Sequence, residues 1–196
     1  MSTTPGRRIA QAWIALRADD PEAASAFTVA CERLEAAKSL RGLRRFRVFE
    51  LRGALPAPEV MADLLHRSTQ FYNPSKERCV VRCSSAEPSP VQAGEAVAVV
   101  VERGGDRRAA AERWWRHETG TRVEVREGVA WVMRFDPGAD AAALGGALAV
   151  TRGRLSGLFA NPHSQDVDVV TGPPSLEHWP GARRGPAGRG GRKGRP

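Results

Sequence analysis

The feature that most constrains the fold of this 196-residue chain is a helix-to-strand boundary that occurs twice. Residues 139–159 have the small and apolar pattern of a helix, and Asn161-Pro162 ends it before the strand-like residues 167–170. Asparagine tolerates the left-handed conformation that closes a helix, and a following proline cannot continue it. Phe71-Tyr72-Asn73-Pro74 has the same arrangement earlier in the chain, and its asparagine lies 88 positions before Asn161. We therefore expect two copies of one unit.

The segments before the two boundaries also resemble each other in their order of elements. In the first copy the apolar periodicity predicts strands at residues 9–17, 43–51 and 78–83, and helices at residues 21–38 and 58–71. In the second copy it predicts a helix after Gly104-Gly105-Asp106 and strands at residues 96–101, 122–125, 129–135 and 167–170. Arg126-Glu127-Gly128 predicts the turn of a hairpin between two of these strands. The first copy has one long strand at the corresponding place.

This order of elements predicts the fold class and the domain boundaries. Strand, helix, hairpin, helix, strand is the βαββαβ order of the split ferredoxin-like unit. The sequence predicts an α+β fold of two such ferredoxin-like repeats, packed sheet against sheet as a pseudo-dimer, with antiparallel sheets and the helices outside. The predicted divisions are a flexible N-terminus at 1–8, repeat 1 at 9–83, a linker at 84–94, repeat 2 at 95–171 and a disordered tail at 172–196.

Charge and cysteine content indicate a cytoplasmic protein with a basic tail. The formal net charge is +8, and the last sixteen residues hold five arginines and one lysine without any acid. Such a tail predicts weak, non-specific attraction to nucleic acid. The three cysteines have no framework spacing, which favours reduced thiols in the cytoplasm. No apolar run is long enough for a membrane span. Trp179 is expected to be the last packed residue before the tail.

The second copy resembles a known family. Its segment VEVREGVAWVMRF and its ending LSGLFANPHSQDVDVV are similar to the PurS family, the small subunit of phosphoribosylformylglycinamidine synthase. In that family the second helix closes in a Leu-Leu-x-Asn-Pro type segment, which Leu158, Phe159, Asn161 and Pro162 match here. Asn73-Pro74 matches more loosely. The tandem arrangement resembles the N-terminal region of single-chain synthetases and of PurS–PurL fusions.

The resemblance implies an accessory subunit without catalytic residues of its own. It would bridge the synthetase large subunit and the glutaminase subunit during ammonia transfer, with possible self-association. No cofactor would be bound by this chain, since ATP, magnesium and glutamine are used by the partner subunits. The candidate interface residues are those of the two boundaries and one aromatic of a predicted strand: Asn73, Pro74, Trp131, Asn161, Pro162 and His163.

A search for catalytic groups leaves two other classes of protein open. The four histidines share no metal-ligand spacing with the cysteines, and no phosphate-binding loop of the Walker type occurs. RNA-recognition motifs share the βαββαβ order, and residues 127–132 match part of their third-strand pattern. The match fails at the basic position, Glu127, and at the first stacking position, Val129. An RNA-binding protein and an ACT-type regulatory module are therefore the alternatives to a protein-docking subunit.

Overall fold

Two long strands pair along almost their whole length at the centre of the structure. These are β2 (Leu40–Gly53) and β5 (Val123–Phe135), which run antiparallel from Leu40 opposite Phe135 to Gly53 opposite Val123. The computed structural model describes residues 8–181, and in this range the pair forms the middle of an antiparallel sheet of six strands in an α+β fold. The other four strands are β1 (Arg8–Leu16), β3 (Glu77–Arg82), β4 (Ala96–Glu102) and β6 (Gln165–Thr171).

From either edge of the sheet towards its centre, the strands come in the order third, first and second of their half of the chain. The full order is β3-β1-β2-β5-β4-β6, so the first half of the chain supplies three neighbouring strands and the second half supplies the other three. Four helices connect them: α1 (Pro21–Arg33), α2 (Pro58–His66), α3 (Ala109–Thr119) and α4 (Ala141–Ala149). Each half therefore runs strand, helix, strand, helix, strand, and the four-stranded βαββαβ order predicted for each repeat is not found in the described residues.

The predicted hairpin at Arg126-Glu127-Gly128 is wrong, because β5 continues through it as one strand. These residues pair with β2, which satisfies backbone groups that a turn would leave outside the ladder. Gly128 is needed for close packing instead of a turn. A Cβ there would lie 2.9 Å from the carbonyl oxygen of Val100 and 3.4 Å from the ring of Trp179.

The predicted packing of one sheet against another is also wrong, because the two halves join edge to edge. All four helices contact the same face of the single sheet, where the buried side chains form two clusters. One cluster surrounds Phe49, Met61 and Trp115, and the other surrounds Met133 and Leu148. Side chains alternate between the faces of a strand, so the neighbouring residues point to the opposite face.

The long helix predicted at residues 139–159 is correct only in its first half. α4 ends at Ala149, and Val150 is already extended. β-branched residues and glycines follow, and these residue types stabilise a helix poorly. Gly157 has a φ of +72°, and a Cβ there would lie 1.7 Å from the carbonyl oxygen of Val150. Gly145 allows α4 to lie close to the sheet, since a Cβ there would lie 2.8 Å from that of Ala96.

The first two helices also end earlier than predicted. α1 stops at Arg33 and a short 3-10 helix, Glu35–Ala37, follows it. α2 stops at His66, and turns lead to Phe71 and Tyr72. None of the helices in the described part of the chain has the length and apolar character needed to cross a membrane.

The helix-free face of the sheet is covered by two segments without regular structure. Val91 from the linker and Trp179 pack on Trp13 and its apolar neighbours on this face. The side-chain amide of Gln11 donates to the carbonyls of Ser175 and Leu176, both at 3.2 Å. The prediction that Trp179 is packed is confirmed, since it is 4% exposed.

We call residues 172–181 the C-terminal strap, because they lie across this face. Buried Arg82 holds the strap by donating to the carbonyl of Pro174 at 3.0 Å. The packed chain therefore reaches at least Gly181, beyond the predicted tail boundary at residue 172. Residues 182–196, the rest of the predicted tail, and residues 1–7 lie outside the described range.

We expect Trp179→Ala to lower the free energy of unfolding by about 3 kcal/mol, because it removes a buried indole from an apolar cluster. Leu155→Ala is the control, since Leu155 is 71% exposed and its loss should change stability by less than about 0.5 kcal/mol. Urea unfolding of the full chain measures both. Equal stabilities of the two variants would show that the strap does not stabilise the sheet.

Candidate functional site

The first Asn-Pro boundary is a tight turn held by its own side chains. The Asn73 Oδ1 accepts from the backbone N–H of Ser75 at 3.0 Å. The backbone N–H of Asn73 donates to the Glu77 carboxylate at 2.7 Å. The carbonyl of Asn73 accepts from the backbone N–H of Glu77 at 2.8 Å. The side chains of Asn73 and Glu77 thus satisfy the backbone groups of the turn that leads into β3.

The second Asn-Pro boundary makes the same hydrogen bonds at the start of β6. The Asn161 Oδ1 accepts from the N–H of His163 at 3.0 Å, and the Asn161 N–H donates to the Gln165 Oε1 at 2.8 Å. The Asn161 carbonyl accepts from the N–H of Gln165 at 2.9 Å. The recurring Asn-Pro pair is therefore a recurring local structure, whose last member is an acid in one copy and an amide in the other.

An arginine at the end of the neighbouring strand holds each turn. Arg17 follows β1, and its Nε donates to the carbonyl of Pro74 at 3.0 Å. Arg103 follows β4, and its Nη1 donates to the carbonyl of His163 at 3.0 Å. The backbone N–H groups of both arginines donate at 2.9 Å to the turns, to Lys76 and to Ser164. These contacts place His163 on the surface, with its backbone engaged in the turn.

The aromatic residue that precedes each turn packs on an aromatic of the central strands. Phe71 meets Phe49 edge to face at 5.4 Å, and Phe159 stacks on Trp131 at 4.8 Å with 17° between the rings. Phe71 is completely buried, whereas Trp131 is half-buried. The two halves therefore share the contact, but only the second leaves one ring of the pair, that of Trp131, partly accessible.

The six predicted interface residues do not form one surface. The turns at Asn73-Pro74 and Asn161-Pro162 lead into β3 and β6, which are the opposite edge strands of the sheet. The sequence could not reveal this separation, because it follows from the order of the strands. Trp131 lies with the second turn, since Phe159 and Gln165 line one groove with it.

We call this depression the central groove; it lies on the helix-bearing face and has a volume of about 260 Å³. Ion pairs surround its aromatic floor. The Arg45 guanidinium lies 5.8 Å from the ring of Trp131 and 2.9 Å from the carboxylate of Glu22. Glu127 bonds to Arg108 and lies 3.4 Å from Arg47. The groove thus combines a partly accessible aromatic ring with charges of both signs, which suits contact with another protein.

Sequence reasoning missed the charged residues of the central groove. Arg45 and Glu127 belong to different halves and come together only because β2 pairs with β5. The available signal is a pair of charged positions inside otherwise apolar strands. At Glu127 the sequence predicts a turn from this signal.

The open aromatic platform of an RNA-recognition motif does not occur in the described residues. Val129 and Trp131 point to the face that carries the helices, where Trp131 stacks on Phe159. The opposite face is covered by Val91 and Trp179. Stacking of bases on a bare sheet needs exposed rings there.

Comparisons with known proteins give no family for this chain: no family model, no curated protein and no solved structure matches it. Between residues 8 and 181, no group of three or more His, Cys, Asp or Glu side chains is placed to hold a metal ion. Burial raises the pKa of Cys79 to about 12 and also raises the pKa of Cys83. Both thiols are therefore protonated, and poorly nucleophilic, near neutral pH.

We expect the native protein to show one fast thiol at pH 8, because Cys31 is exposed whereas Cys79 would be thiolate in only about one molecule in 10,000. Reaction with a chromogenic disulfide measures this, with all three thiols reacting after denaturation. Cys31→Ser should remove the fast phase. A fast phase that survives in Cys31→Ser and disappears in Cys79→Ser would contradict the burial of Cys79.

Proposed function

We propose that this chain is a PurS-type assembly subunit, which holds the synthetase and glutaminase subunits of phosphoribosylformylglycinamidine synthase together without catalysing a step itself. The observation that carries the proposal is the Asn-Pro turn, built twice in one chain with the same hydrogen bonds. Asn161-Pro162 is also the motif on which the resemblance to PurS depends. A chain of this kind supplies both halves of a dimeric scaffold at once.

The duplication extends to an ion pair between each central strand and the helix start beside it. Asp20 and Arg108 are the residues immediately before α1 and α3. Asp20 lies 3.6 Å from Arg45 on β2, and Arg108 bonds to Glu127 on β5. The two pairs occupy matching places with their charges exchanged. We infer that the halves descend from one ferredoxin-like ancestral unit, now present as a fused pseudo-dimer.

The differences between the halves suit a subunit that binds two unlike partners. A symmetric dimer presents the same patch twice. Here the exchanged charges, and the partly accessible Trp131 on one side only, give the two halves different surfaces. Charge complementarity determines which partner binds a surface more than how tightly it binds. The cytoplasm is the compartment in which this assembly would operate.

Reconstitution with purified synthetase and glutaminase subunits from the same organism tests the proposal. We expect the chain to raise amidine formation from glutamine by at least about tenfold. The rate with free ammonium should stay the same, because ammonia supplied directly needs no transfer between subunits. An unchanged glutamine-dependent rate at saturating chain would reject the assembly role.

Two matched variants locate the contact. Asn161→Ala and Asn73→Ala each remove one hydrogen bond of the same kind from the same turn, so each should lower stability by about 1 kcal/mol. We expect Asn161→Ala to weaken binding of the complex several-fold more than Asn73→Ala, because its turn adjoins the central groove. Equal weakening of binding by both variants would show that the contact does not lie at this groove, while leaving the assembly role intact.

A further inference from the structure

The pairing between β1 and β2 does not reach the N-terminal residues of β2. The ladder runs from Arg8 opposite Gly53 to Ile14 opposite Arg47, but β2 begins at Leu40. In the described residues, β2 before Arg47 is therefore paired only with β5. Backbone groups of successive strand residues point alternately to the two sides, so Leu43 and Arg45 direct their N–H and C=O groups to the unpaired side.

The second half covers the matching edge of β5 with its own chain. The N–H of Glu127 donates to the carbonyl of Asp106 at 2.7 Å, and the N–H of Arg108 donates to the carbonyl of Val125 at 2.8 Å. A bridge between Arg107 and Arg126 lies between these bonds. Residues 106–108 thus act as a short extra strand against β5.

Loop length explains why only one of the two edges is covered. The loops begin after Arg17 and Arg103, which make matching contacts, and end at α1 and α3. The loop in the second half is residues 104–108, and the loop in the first half is residues 18–20. The first loop is two residues shorter, and no backbone hydrogen bond joins it to Leu43 or Arg45.

A groove of about 440 Å³ lies beside the shorter loop, where a loop as long as that of the second half would cover β2. Residues 41–46 of β2 form one wall, and Ala23 and Phe27 of α1 form part of the other. We propose that this β2-edge groove binds an extended, acidic segment of another protein, which adds to the sheet as a strand beside Leu43 and Arg45. Backbone hydrogen bonds would provide the attachment, as in other cases of strand addition to an exposed edge.

The charges around the groove select an acidic segment. Four arginines and two aspartates line it: Arg41, Arg44, Arg45 and Arg78, with Asp19 and Asp20. Arg41, Arg44 and Arg45 already pair with Asp136, Glu95 and Glu22. Within residues 8–181 Arg78 has no such ion pair, so its charge is the one left for an acidic segment. A second copy of this chain would place the arginines of β2 opposite each other, and like charges across a ladder are destabilising. The chain's own C-terminal residues are basic and are disfavoured for the same reason.

Fluorescence anisotropy with a labelled peptide tests this assignment. The probe is an eight-residue peptide of alternating valine and glutamate, acetylated and amidated at its ends, added to the full chain. Two matched probes carry lysine in place of glutamate, or N-methyl groups on alternate backbone nitrogens. We expect the acidic peptide to bind at least about tenfold more tightly than either, because one control reverses the charge and the other blocks the ladder.

A loop graft tests the location. Replacing residues 18–19 with Gly-Gly-Asp-Arg copies the longer loop of the second half, so it should fill the groove and abolish binding while the melting temperature is retained. Arg78→Glu should lower the affinity for the acidic peptide by about threefold, as expected for an exposed charge. Arg116→Glu on α3 has the same change of net charge away from the groove and should leave binding unchanged.

Hydrogen exchange gives a readout independent of affinity. Bound acidic peptide should slow exchange of the Arg45 amide, whose counterpart at Glu127 is already bonded in the free protein. Equal binding of the N-methylated peptide, or undiminished binding to the loop graft, would overturn the proposal. The proposal would also be overturned if the acidic peptide did not bind at concentrations up to about 1 mM, or if the chain self-associated through this edge.

Discussion

The antiparallel ladder between β2 and β5 is the interaction on which the rest of the structure depends. It joins the two halves into one sheet and fixes which of their residues are neighbours. Arg45 lies directly opposite Trp131, and Phe49 lies opposite Glu127. A shift of the ladder by one residue would turn every side chain of a strand to the other face. The central groove, and the apolar clusters on both faces, therefore exist only in this register.

The two halves share their backbone contacts and differ in their surfaces. The Asn-Pro turns, the arginines that hold them and the aromatic pairs are the same in kind in both halves. Charges at the helix starts are exchanged, and one loop is two residues shorter. Substitutions on the surface change the stability of a fold little, whereas substitutions in its hydrogen-bonded turns lower it. One scaffold therefore carries two different surfaces.

The limits of the sequence analysis are clearest at Gly128 and in α4. A glycine after charged residues is typical of a turn, but Gly128 is small because Val100 and Val101 of β4 lie 2.9 Å from where a Cβ would be. The apolar spacing of α4 continues beyond Ala149 at Leu155, Leu158 and Phe159, but α4 ends at Ala149 and Gly157 has a positive φ. At Gly128 a contact distant in sequence overrides the local preference, whereas α4 ends where β-branched residues and glycines begin. The charged residues of the central groove were missed for the same reason as Gly128, since their partners lie on the other central strand.

The sequence by itself determined the two Asn-Pro turns and the alternation of strands and helices, because each depends on residues near one another in the chain. The tertiary structure alone decided that the halves share one sheet, that the strap closes its second face, and that the edge of β2 stays uncovered. Strand order and register depend on pairings between residues some eighty positions apart, such as Arg47 with Val129. Local propensity carries no information about such pairings, so only the folded chain reveals the surfaces on which a partner can bind.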